Sequence, residues 1–178
     1  MFKEKLDGRF TAIIFIVFAA AIVRVLTNGL IPNFTPIGAL AIFSGAYFQD
    51  KKLAVIVPVS ALLLSDLYIG FHSTMPFVYI SFLMIVLMSS LINGGRKTVG
   101  TVLGSTLAGT ALFYLVTNFG VWALTGMYEM TFSGLLTSYI AGIPFIRYSL
   151  MGDLFYVGVL FGVFELVRHY VLPSLKVA

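Results

Sequence analysis

Cysteine is absent from the 178 residues, and Asp, Glu, Lys and Arg together make up only 10%. Without cysteine there is no disulfide framework, no thiolate nucleophile and no thiolate metal site. Soluble domains carry roughly a quarter charged residues, so so small a charged fraction excludes an aqueous fold. Histidine occurs twice and tryptophan once. Also missing are the GxxxxGK[ST] phosphate loop, the GxGxxG turn, the HExxH zinc helix and the GxSxG nucleophile elbow, which removes nucleotide hydrolysis and the familiar hydrolase sites. Ser44 and Ser65 are the conceivable nucleophiles, but no histidine lies at a matching depth to activate either.

What is present is apolar: 60% of the residues are hydrophobic and the mean hydropathy is +1.03. Such a chain has lipid as its solvent. Roughly 20 apolar residues cross a ~30 Å hydrocarbon core. On that measure the sequence predicts an all-α membrane protein in one integral domain, 1–178, with six spans at about 10–26, 37–48, 53–68, 76–91, 99–116 and 148–167. The first apolar run is read as a retained helix because no small-residue cleavage site follows it. The span at 37–48 is short, so the preceding NFTP segment is expected to dip into the membrane, lined by protein or water. Pro58 is expected to kink the third span. Residues 131–143 are helical in pattern but too short to cross alone, and are read as a surface or re-entrant helix between the fifth and sixth spans.

The net charge of +4 could suggest nucleic acid, but the basic residues collect by membrane side instead. With the N-terminus inside, Lys3, Lys5, Arg9, Lys51, Lys52, Arg96, Lys97, Arg168 and Lys176 face the cytoplasm and only Arg24 and Arg147 face out. Nine against two fits the enrichment of basic residues in cytoplasmic loops, with both termini inside. Counting at about 1.5 Å per residue from the inner boundary places Arg24, Asp66 and Asp153 near one level, roughly 20 Å up. Charged groups inside a bilayer cost at least several kcal/mol unless paired or hydrated. Two readings follow: a polar pocket open to the outside, or an ion pair that locks helices together.

Polar and aromatic residues surround that level, among them Asn28, Asn33, Tyr68, His72, Tyr79, Asn118, Trp122, Tyr128, Glu129 and Tyr139. Apolar cavities with a few fixed hydrogen-bonding groups are how small-molecule sites are built, although Trp and Tyr also collect in interfacial belts. Asn33 and Asn118 place amides beside backbone expected to be broken. His72 is the lone outer histidine, and with Asp66 and Glu129 it makes at most a loose ligand set, so no metal and no cofactor is expected. Small residues recur at helical spacing, at Gly100, Gly104 and Ala108, at Gly158 and Gly162, and at Ala41 and Gly45; they allow close helix approach within the chain or to a partner.

The stretches RVLTNGLIPNFTPIGALAIFSGAYF, VPVSALLLSDLYIGFH, MPFVYISF, FYLVTNFGVW and AGIPFIRYSLMGDLFYVGVLFGVFEL resemble a family of uncharacterised bacterial inner-membrane proteins described as candidate S components of energy-coupling-factor (ECF) transporters. The resemblance runs from Arg24 to Leu166. It implies a six-helix bundle that binds a water-soluble vitamin or related micronutrient near the outer face and couples to a transmembrane subunit and two ATPases. The AxxxA docking pattern that many S components carry on the first helix is replaced here by adjacent Ala19, Ala20 and Ala21. The expected function is a substrate-binding membrane subunit for uptake of a small polar or vitamin-like solute, with Arg24, Asn33, Asp66, His72, Asn118, Trp122 and Asp153 around the solute. The alternatives are a non-catalytic scaffold subunit and, more weakly, a membrane-embedded lipid-modifying enzyme using Asp66, His72 and Glu129.

Overall fold

The structure is a computed structural model that describes residues 2–92, 95 and 97–171, and, within these, the side chains of all but residues 2–10, 170 and 171. Arg96, Lys176 and the side chains of Lys3, Lys5 and Arg9, counted above for sidedness, lie outside the described residues. Among the described residues six α-helices follow one another: α1 (Phe2–Thr27), α2 (Ile37–Tyr47), α3 (Lys51–Ile69), α4 (Met75–Ser90), α5 (Val99–Leu124) and α6 (Phe132–Leu166), the last running into a π-helical turn, Val167–Val171. Among the described residues there is no strand. Lys51–Ile69, Val99–Leu124 and Phe132–His169 are each long and apolar enough to cross a membrane, whereas Thr11–Thr27, Ile37–Tyr47 and Met75–Ser90 are apolar but shorter. This is the make-up of a membrane protein.

Burial is arranged around α2. Every residue from Ile37 to Ala46 is buried, and α1, α3, α4, α5 and α6 all pack against this one helix. An 11-residue helix is about 16 Å long, roughly half the hydrocarbon thickness. The expected second span is thus an enclosed core helix, not a lipid-facing one. The outer helices turn large apolar side chains outward, for example Phe15, Leu67, Leu107, Phe155 and Val163, as a chain solvated by lipid requires.

Local signals explain the helix boundaries. Asp50 caps α3 by accepting from the Lys52 N–H (2.8 Å), and Thr98 and Thr131 cap α5 and α6 in the same way. Pro36 and Pro76 sit at the starts of α2 and α4, where a missing N–H costs nothing. Pro58 lies inside α3 and withdraws the donor that the Ala54 carbonyl would receive. The buried Ser44 hydroxyl on α2 supplies that donor across the helix interface, at 2.8 Å. Side-chain contacts show the helices alternating in direction: Phe77 at the start of α4 meets Gly120 near the end of α5, and Tyr47 at the end of α2 meets Glu165 near the end of α6.

Two expectations about the chain trace are corrected. Residues 131–143 and the final span form one helix, Phe132–Leu166, with Pro144 in its interior. Ser138 and Gly142 keep the first half of this helix tight on α5, Gly142 lying against the Asn118 side chain and Ser138 donating to the Asn118 carbonyl at 2.9 Å, while Gly134 packs on the Glu129 backbone of the preceding loop. The fifth helix also runs past 116 to Leu124, so Asn118 lies in continuous helix and not beside broken backbone. Asn33 does lie in irregular backbone: residues 28–36 leave the helical conformation, and Asn33 has a positive φ of 59°. Residues 28–33 of that segment are exposed, and its last three residues pack on protein, with Phe34 against the Phe155 and Tyr156 rings.

Candidate functional site

Arg24, in the last turn of α1, reaches across to α3. Its Nη1 donates to Asp66 Oδ1 at 2.6 Å, to the Ser65 hydroxyl and, at 3.4 Å, to the Leu62 carbonyl. The second Asp66 oxygen accepts from the Tyr79 hydroxyl of α4 at 2.9 Å. Ser65 is itself hydrogen-bonded to the carbonyls of Ala61 and Leu62, which fixes it below the guanidinium. Asp66 is 1% exposed and the Arg24 side chain 14%. One anion, one cation and two hydroxyls from three helices thus close a compensated cluster at the end of the bundle where α1 and α3 finish. Arg24 Nε and Nη2 make no hydrogen bond among the described residues, and neither is fully enclosed.

Asp153 does not join this cluster, and the expected convergence of Arg24, Asp66 and Asp153 is overturned. α3 packs on α1, α2 and α4, while α6 packs on α2 and α5, so α2 stands between the two aspartates. Equal counts along two helices fix height but not the direction around the axis, and here the directions differ. Asp153 Oδ2 lies 2.7 Å from the Thr110 hydroxyl of α5. The other carboxylate oxygen is pressed on Gly38 in the first turn of α2, so closely that a Cβ built there would come within 2.1 Å of it. The neighbouring Gly152 meets the backbone of Phe34 and Thr35, so the end of the 28–36 segment runs beside this aspartate. Asp153 is 9% exposed and has no cationic partner among the described residues.

The remaining expected site residues are dispersed. Asn33 is exposed in the 28–36 segment. His72 pairs with the Thr74 hydroxyl at 2.9 Å in an exposed loop. Asn118 donates to the Tyr114 carbonyl (2.8 Å) and wedges its amide against Gly142, a close α5–α6 fit. Trp122 ties the 125–131 loop by donating to the Glu129 carbonyl at 2.9 Å. Among the described residues no three His, Cys, Asp or Glu side chains come together to hold a metal. An apolar groove of about 320 Å³ on α4, α5 and α6, lined by Phe77, Met84, Phe119 and Tyr139 among others, contains none of the seven.

A family profile described as a family of unknown function, DUF6580, matches residues 4–175. The chain belongs to the DUF6580 family. No curated protein and no solved structure matches it.

Sequence reasoning did not single out two groups that this DUF6580 chain places at Asp153. Thr110 was legible in principle: with Thr106 it puts two hydroxyls four residues apart on the buried face of an apolar helix. Gly38 carried no signal of its own, because its role is to leave room for a side chain 115 positions later. Of the small residues, Gly45 packs tightly on Val86 and Ser89 of α4, whereas Gly104, Gly158 and Gly162 have open space where a Cβ would point. Ala20 and Ala21 are buried within the bundle.

Proposed function

We propose that this DUF6580 protein is a substrate-binding membrane subunit for uptake of a small polar or vitamin-like solute, comparable to an ECF S component, in a bacterial inner membrane. The end bearing residues 28–36, 70–74 and 125–131 faces outward, because Lys51, Lys52, Lys97 and Arg168 gather at the other end. The observation that carries this reading is the unfinished coordination of Arg24. Nη1 makes every hydrogen bond that the described residues give this side chain, and Nε and Nη2 make none. The planar fork of an arginine suits a carboxylate or another paired acceptor, and Asp66 and Ser65 hold that fork in place. With Asp153 elsewhere, recognition rests on Arg24 and favours a solute that offers an acceptor group.

Native mass spectrometry of the gently extracted protein, wild type beside Arg24→Lys, tests it. Lysine keeps the charge beside Asp66 but loses the fork. The wild type should release a bound small molecule that the variant lacks, with affinity lowered by about 1.5–3 kcal/mol, the scale of a hydrogen bond to a charged group. A wild-type protein without a small molecule, or equal occupancy in both, rejects the pocket. A second reading, a scaffold subunit, draws on the exposed small-residue stripes Gly100, Gly104 and Ala108 on α5 and Gly158 and Gly162 on α6. Stoichiometric protein partners without any small molecule would favour it.

A further inference from the structure

We propose that Asp153 is an intramembrane proton-binding site, formed where α6, α5 and the first turn of α2 meet beside Phe34. The argument begins with the Thr110 hydroxyl, which has a single hydrogen and two oxygens in reach: the Thr106 carbonyl at 3.0 Å and Asp153 Oδ2 at 2.7 Å. If that hydrogen goes to the carbonyl, the bond to Asp153 exists only when Asp153 carries a proton and donates it to Thr110 Oγ1. If it goes to Asp153 instead, a buried carboxylate is left with one neutral donor and no counter-charge. The first arrangement gives both hydrogens an acceptor and leaves no buried charge, and the second leaves an ion poorly solvated.

No charged group opposes this assignment from the elements around the site. The titratable side chain of α2 is Tyr47, which donates to Glu165. That of α5 is Tyr114, bound to the Tyr139 carbonyl. On α6 itself Tyr156 lies against Phe34 and Arg147 is exposed beside Tyr148, while Tyr139 and Glu165 are engaged as already described and Tyr148 meets Arg147. Residues 28–36 contribute no ionisable side chain. A metal cation fits less well than a proton, because hard cations gather about six oxygens and the site offers the Asp153 carboxyl and one hydroxyl, with the Gly38 backbone closing the Oδ1 side. Asp153 retains a sliver of accessible surface, so the proton can exchange. The site stands whether or not Arg24 binds a solute.

Infrared spectroscopy of the full chain in lipid nanodiscs reads it directly. At neutral pH the wild type should show the carbonyl stretch of a protonated carboxylic acid, sensitive to exchange into D₂O and lost on raising the pH. Asp153→Asn should abolish that band. Thr110→Val, which keeps the carboxyl but removes its hydrogen-bond partner, should shift the band, and this variant decides the matter if Asp153→Asn does not fold. A wild type without the band, a band that survives Asp153→Asn, or one unmoved by Thr110→Val overturns the proposal, as does loss of the band on adding sodium at fixed pH.

Discussion

Asp66 and Asp153 are almost equally buried, at 1% and 9%, yet the protein treats them in opposite ways. Asp66 faces α1 and α4, where a guanidinium takes one oxygen and a tyrosine hydroxyl the other. Asp153 faces α2 and α5, where it finds one threonine and a glycine backbone. Withdrawing an ion from water costs several kcal/mol, which a close cation can offset. The first turn of α2, the positive end of a helix dipole, offers Asp153 at most about 2 kcal/mol. Burial alone therefore does not set the state of an intramembrane carboxyl; the helix face on which it emerges does.

The largest break in this contrast is Arg24→Ala. It strands Asp66 in an apolar interface with Tyr79 alone, and removing one partner of a buried ion pair typically costs about 3–5 kcal/mol. Thermal unfolding in detergent should show that loss, and the double variant Arg24→Met with Asp66→Leu should recover most of it, since no charge then remains to be compensated. A single-variant loss below about 1 kcal/mol would mean that the pair is a bystander, because exposed ion pairs are worth no more than that.

Gly38→Ala strikes the other aspartate. The added methyl would lie 2.1 Å from Asp153 Oδ1 and 2.9 Å from Cγ, so α2 or the carboxyl must move. Overpacking of this kind costs about 1–3 kcal/mol. In an Asp153→Ala background the same substitution should cost far less, because the group it strikes is gone. Such non-additivity is the mark of two residues in contact, whereas equal costs in both backgrounds would show that Gly38 does not sit on Asp153.

How much of this was legible follows from what a membrane sequence encodes. Length and composition gave the all-helical lipid-solvated chain, and NFTP gave the irregular entry to α2. The caps at Asp50, Thr98 and Thr131 are ordinary sequence signals. The continuity of α6 was hidden by Pro144, although Ser138 and Gly142, four residues apart, were a visible sign that its first half packs along α5. The faces of Arg24, Asp66 and Asp153 were a different matter. In a soluble helix an apolar stripe tells which side points inward; helices that are apolar all round carry no such stripe. Residue counting therefore carried no information on their direction, so a pair and a separate aspartate looked like a triad.

The smallest effect tests how α2 and α3 are joined below both aspartates. Pro58 deprives the Ala54 carbonyl of its helical donor, and Ser44, fully buried, gives its hydroxyl hydrogen to that carbonyl. Ser44→Ala should therefore cost about 1 kcal/mol, the typical net value of one hydrogen bond and close to values found within membranes. In a Pro58→Ala background residue 58 regains an N–H that can serve the Ala54 carbonyl along α3, and the same Ser44→Ala change should then cost only a fraction of that. A double-mutant cycle read by thermal unfolding gives the coupling. Equal losses in both backgrounds would show that the Ser44 hydroxyl does not replace the donor lost at the proline, and that α2 is held on α3 by apolar contact alone.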